Sequence, residues 1–145
     1  TIVDDYAHHP SELKATLKSA MDMGYKTVWA VFQPFTYSRT AMLLNDFKDA
    51  LSIADKVVLT DIMGSREKNT YGIFSRNLAE TIDGAIYFPQ DETVEHTNER
   101  KEYNFHQVCD YICEHAKDGD LVITMGCGDV YKCAKMIYKK LSEQN

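Results

Sequence analysis

An alternation runs the length of the chain and limits what it can fold into. Short runs of β-branched and aromatic residues fall at residues 2–4, 27–32 (TVWAVF), 56–60 (KVVLT), 85–88 (AIYF) and 121–124 (LVIT). Between them lie segments of helical periodicity at residues 11–23, 39–52, 75–81, 103–117 and 129–142. The runs TVWAVF and DLVITM are apolar almost throughout, as strands covered on both faces are. Strands alternating with helices imply right-handed βαβ units. The expected fold is therefore α/β, a doubly wound, mostly parallel sheet with helices on both faces. At 145 residues and 44% hydrophobic content the chain is long enough to bury a core, and one domain over residues 1–145 is expected. No repeat or internal linker interrupts it, although DETVEHTNERKE at residues 91–102 is polar enough for a surface excursion.

The unusual residues fall in the turns that follow strands. DYAHHP follows the first, QPFTYSRT the second, DIMGSREKNTYG the third and MGCGD the fifth. In a parallel sheet these four turns share the rim at the carboxyl ends of the strands, where ligands of such folds bind.

Each turn carries chemistry. Pro10, Ser11 and Glu12 suit the first turn of a helix, which places Asp4, Asp5, Tyr6, His8 and His9 on a strand-to-helix turn. Asp5, just past a strand end, can accept from a ribose hydroxyl pair or cap the helix. His8 and His9 can donate to anionic oxygen or move a proton near neutral pH. Arg39 lies near a helix start, where a guanidinium and free N–H groups favour a carboxylate or phosphate. The glycines of MGCGD permit close backbone approach or a plain tight turn, and Asp129 suits the cap of the last helix.

Other chemistries are excluded. Acidic residues outnumber basic ones by 22 to 16, a net charge of −6, which argues against nucleic-acid and anionic-membrane partners. No apolar run approaches the roughly 20 residues of a membrane span, and no leader precedes the first strand, so a cytoplasmic location is expected. Cys109 and Cys113 share a helical stripe with Phe105, Val108, Ile112 and Ala116, so they are expected to be buried as small hydrophobes. A zinc set of His106, Cys109 and Cys113 lacks a CxxC pair and a fourth ligand, and no metal is assigned. No GxxxxGK[ST] loop, GxSxG elbow or GxGxxG fingerprint occurs.

Taken in order, DDYAHHPSELKATL, VFQPFTYSRT, the DI…SREK…G loop and GDLVITMGCGDV resemble the C-terminal domain of the Mur ligases of peptidoglycan synthesis, in particular the alanine-adding type. The resemblance covers the chain from its first residues to its last helix. It implies the Rossmann-like fold of that domain, and an ATP-dependent ligase joining L-alanine to UDP-N-acetylmuramate through an acyl phosphate. Such an enzyme has an N-terminal domain for the UDP sugar and a central domain that mainly binds ATP and Mg²⁺. The start at Thr1 and the missing phosphate loop fit a fragment of such an enzyme, expected to be inactive alone, with no catalytic residue of its own.

By resemblance Asp5 contacts the ATP ribose, Tyr6 and His8 line the amino-acid and nucleotide pocket, His9 stands beside them as a substrate-binding candidate, and Arg39 grips the carboxylate of L-alanine. Phe35 stands where many relatives have histidine, and Thr36 where some have arginine, which puts more weight on Arg39. Arg66 and Glu67 border the same pocket without an assigned role. Two other readings stay open: the murein-recycling ligase that adds a peptide to the same UDP sugar, and a non-catalytic module that binds a nucleotide or a partner.

Overall fold

The computed structural model describes residues 1–88 and 98–144. Strands form where the apolar runs lie: β1 (Ile2–Asp5), β2 (Val28–Phe32), β3 (Lys56–Leu59), β4 (Ile86–Tyr87) and β5 (Leu121–Met125). All their pairings are parallel, in the order β1-β5-β2-β3-β4. Every residue of the central strands β2 and β5 is buried, whereas the edge strand β1 leaves Val3 exposed. The continuous apolar runs of β2 and β5 follow from this position, since neither face of a central parallel strand meets water.

Helices cover both faces. On one side α1 (Pro10–Met21), α3 (Leu44–Leu51) and α4 (Ser75–Ala79) pack Leu13, Leu17, Phe47, Leu51 and Leu78 onto Ala30, Phe32, Leu59 and Ile123. On the other, α5 (Asn98–His115) and α6 (Tyr131–Gln144) pack Val108, Ile112, Cys133 and Ile137 onto Trp29, Val31 and Val122. Trp29 also donates its indole N–H to Asp120 Oδ2 at 3.1 Å, which satisfies its one polar atom in a buried place. Lys140 of α6 meets Asp110 of α5 at 2.5 Å on the surface. The doubly wound α/β expectation holds.

Three local expectations change. Residues 39–52 form two helices, α2 (Tyr37–Met42) and α3, separated at Leu43, whose φ of −111° and ψ of 23° leave the helical range. The two helices have different anchors: α2 buries Thr40, tied by its hydroxyl to Thr36 O, while α3 buries Phe47, Ala50 and Leu51 against the sheet. The last helix begins at Tyr131 and not at Asp129. Of the polar stretch 91–102, residues 98–102 open α5 and residues 91–97 lie outside the described residues.

The register levels the strand ends. Met125 pairs with Asp5 on one side and with Phe32 on the other, and Phe32 pairs with Leu59. The turns that follow these four strands therefore leave the sheet at one height, along one rim.

Candidate functional site

The turn after β1 is organised by its own side chains. Asp5 Oδ1 accepts the Ala7 N–H at 2.8 Å and Oδ2 accepts the Thr16 hydroxyl of α1 at 3.0 Å. A carboxylate oxygen has two lone pairs, so each oxygen keeps acceptor capacity after these bonds. Asp5 also borders a cavity of about 470 Å³ between α1 and the sheet, lined by Val3, Thr16, Met23, Tyr25 and Ile123 among others. Tyr6 is 70% exposed, with its ring edge-on to His8 at 5.5 Å between centroids. His8 Nδ1 lies 3.1 Å from Tyr6 O and 3.6 Å from Glu12 Oε1.

His9 has a different position from its neighbour. It is the N-cap of α1: its Nδ1 accepts the Ser11 N–H at 3.4 Å, and its own N–H is accepted by Glu12 Oε1 at 3.1 Å. The helix begins at Pro10, which needs no N–H partner there. That donor from His9, helped by the His8 N–H and the nearby imidazoles, holds the Glu12 carboxyl below the usual glutamate range.

The turn after β2 presents Arg39. Its backbone N–H reaches Thr36 Oγ1 at 3.4 Å, and its guanidinium is half-buried with Nη1 sealed from solvent and no partner among the described residues. A buried guanidinium nitrogen without an acceptor leaves room for an anion. Thr36 sits at φ 64° and ψ 145°, a conformation that costs a β-branched residue free energy. Three bonds hold it there: its N–H donates to Met63 O at 2.8 Å, its carbonyl accepts the Thr40 hydroxyl at 2.8 Å, and its hydroxyl oxygen accepts the Arg39 N–H.

The turn after β5 closes against the turn after β2. Gln33 is 2% exposed and donates Nε2 to Asp129 Oδ1 at 3.0 Å, and its N–H bonds Met125 O. The Asp129 carboxylate therefore binds across the rim to Gln33, ahead of the helix it was expected to cap. Gly126 adopts φ 152° beside Gln33 O, and a Cβ on Gly128 would lie 2.6 Å from Gln33 Oε1. Cys127, between these glycines, is half-buried, and burial pushes its thiol up. The positive Arg39 works against that shift and the negative Glu12 adds to it. Cys127 thus lies within electrostatic reach of both the second and the first turn.

One rim therefore carries Asp5, Tyr6 and His8 in the turn after β1 and Arg39 in the turn after β2, with the β5 turn between them, while His9 Nδ1 is engaged in the helix cap. What the sequence did not assign is Glu67. Its Oε1 accepts the Ser38 N–H at 3.0 Å and its Oε2 the Ser38 hydroxyl at 2.5 Å. That hydroxyl is the main reason its carboxyl falls below the usual glutamate range, and the Arg39 charge contributes. No periodicity links residues 29 apart, so sequence spacing carries no signal for this pair.

The cysteine stripe is buried only in part: Cys113, expected in the core with Cys109, is half-buried and packs against the edge of the cluster. Cys109 is buried with Val108 and Ile112, and burial raises its thiol to about 12, whereas His106 is exposed. Among the described residues no group of three or more His, Cys, Asp or Glu gathers to hold a metal ion, and no helix is long and apolar enough to cross a membrane.

Comparison with known proteins gives a consistent picture. Residues 1–128 match the family described as Mur ligase, glutamate ligase domain. A UDP-N-acetylmuramate–L-alanine ligase of Acetivibrio thermocellus is 48% identical over 142 residues, which is 95% of this chain and 27% of that protein. The chain thus spans about a quarter of the length of such relatives. The solved UDP-N-acetylmuramate-alanine ligase of Thermotoga maritima superposes with a TM-score of 0.70 at 19% identity, over 99% of this chain and 27% of that one. A murein peptide ligase of Psychrobacter arcticus gives 0.65 at 18% identity, over 97% and 27%. At such identities the two structures speak for the fold alone. The family match over most of the chain and the 48% relative carry the assignment further: the chain belongs to the Mur ligase family, as its glutamate ligase domain.

Proposed function

We propose that the chain is the C-terminal domain of an ATP-dependent ligase that joins L-alanine to UDP-N-acetylmuramate in the cytoplasm, working with N-terminal and central domains of the same enzyme. The observation that carries this reading is the sealed Nη1 of Arg39, without a partner among the described residues, on the rim along which four turns leave the sheet. The 48% identity to a protein named for that reaction supports the choice of amino acid.

ATP supplies the phosphoryl group that activates the muramoyl carboxyl, and Mg²⁺ is held mainly by the central domain. The residues of this chain orient the partners. Arg39 takes the alanine carboxylate through parallel N–H donors, which leaves the amine free to point at the activated carbonyl. Asp5, with a spare lone pair on each oxygen, suits a ribose hydroxyl pair, and the fit is helped by the bonds to Ala7 and Thr16 that fix its rotamer. Tyr6 and His8 border the space between. His9 contributes indirectly, by fixing the start of α1. Orientation of two substrates is worth several kcal/mol of barrier, which suits a domain with no reacting group of its own.

The test supplies ATP, Mg²⁺, UDP-N-acetylmuramate and L-alanine to the complete enzyme and to residues 1–145 alone, and measures phosphate release. Turnover by the complete enzyme and none by the isolated chain is expected; turnover by the chain alone would overturn its incompleteness. Offering the peptide substrate beside alanine separates this reading from the peptide-adding one, and calorimetry with ATP and with alanine separates it from a non-catalytic binding module.

A further inference from the structure

The loop after β3 is strapped to the α2 turn at several points. Thr36 N–H bonds Met63 O at 2.8 Å, and Met63 N–H bonds Pro34 O at 2.8 Å. The Tyr37 ring lies over Gly64, where a Cβ would come within 2.5 Å of it. The strap ends at Glu67, whose two oxygens both bind Ser38. A carboxylate held by a backbone and a hydroxyl donor from one residue has little freedom to turn away.

Ser38 is the neighbour of Arg39, so the strap fixes a negative charge at the turn that carries Arg39. Glu67 feels the Arg39 charge, yet its oxygens are committed to Ser38 and Arg39 Nη1 keeps no protein partner among the described residues. The anion is therefore held at the same turn as the cation, bound to Ser38 and not to the guanidinium. Glu67 is also exposed, as are its neighbours Arg66 and Lys68.

We propose that Glu67 is a specificity-determining residue of the Arg39 site: a fixed anion that admits an amino acid with one carboxylate and one ammonium, and disfavours one with a second carboxylate. This rests on the reading that Arg39 holds the amino-acid carboxylate. The ligand charges decide the outcome. For alanine, repulsion of its carboxylate by Glu67 is offset by attraction of its ammonium. An acidic side chain adds a second negative charge without a second ammonium in the ligand, and at solvent-exposed separations such a charge changes affinity by about threefold.

The experiment uses the complete ligase, wild type and Glu67→Gln, which keeps an acceptor for Ser38 while removing the charge. The KM for L-alanine and the inhibition constant of L-aspartate competing with it are measured at low salt and at about 0.5 M salt, where exposed charges are screened. Thermal melting checks that both proteins are folded. The ratio of the aspartate inhibition constant to the alanine KM should fall about threefold or more in Glu67→Gln, and the difference should shrink at high salt. An unchanged ratio, a change that salt leaves intact, or a Gln variant that aspartate does not inhibit would overturn the inference. Wild-type enzyme that fails to turn over alanine would remove the functional reading and this inference with it; turnover with an unmoved ratio removes this inference alone.

Discussion

Arg39 and Gln33 lie in one turn and have opposite relations to the rest of the protein. Arg39 keeps a sealed nitrogen without an acceptor among the described residues, whereas the Gln33 amide donates to Asp129 across the rim. Replacing Arg39 by Ala in the complete enzyme should raise the KM for L-alanine by about 10-fold to 100-fold, because a charge-assisted pair is worth about 1.5–3 kcal/mol. The KM for ATP should move far less, and an unchanged alanine KM would remove Arg39 from the site. Gly128 tests the Gln33 contact. A Cβ there would lie 2.6 Å from Oε1 of a buried amide, and moving that amide would disturb its bond to Asp129, so Gly128→Ala should cost about 1–3 kcal/mol in chemical unfolding. Arg39 stood out in the sequence because it falls near a helix start, in a turn that follows Pro34 and is crowded by Gln33, Tyr37 and Ser38. The Gln33–Asp129 bond was not, since its partners are 96 residues apart.

At the scale of the element, α1 shows how a cluster of titratable residues divides its labour. The adjacent imidazoles of HHP look equivalent in sequence, but only His9 occupies the cap position, and His8 turns to Tyr6 and Glu12. The Glu12 carboxyl lies below its ordinary range in the folded state, so the stability it contributes is present above that range and is lost as pH falls through its folded value. Glu12→Gln should therefore flatten the loss of stability between about pH 5 and about pH 3, as read from melting temperature against pH. A variant with the wild-type slope would show that the cap carries no pH dependence. The break between α2 and α3 belongs here too. Periodicity over residues 39–52 reads as one helix because both halves present apolar residues at helical spacing; only the separate anchoring of Thr40 and Phe47 divides them.

At the scale of the molecule, the two helical layers share one sheet and so one fate. Trp29, the one tryptophan, lies in the layer under α5 and α6, while Phe32 and Phe47, 5.3 Å apart, lie in the other. Unfolding followed by Trp29 fluorescence and by far-ultraviolet circular dichroism should give coincident transitions, since neither layer keeps its apolar face without the sheet between them. Separated midpoints would mean that the layers unfold independently.

The alternation of apolar runs and amphipathic segments determined by itself that the sheet would be parallel and doubly wound, because hydrophobic burial on both faces of a strand is written into consecutive residues. The same pattern put the polar turns on one rim, and the motifs in those turns pointed to the family. Tertiary structure alone decided that β5 inserts between β1 and β2, that His9 caps a helix while His8 turns to Tyr6 and Glu12, and that Glu67 is pinned to Ser38. These depend on hydrogen bonds and charges between residues far apart in the chain, whose energies exist only once the fold has brought them within a few ångströms.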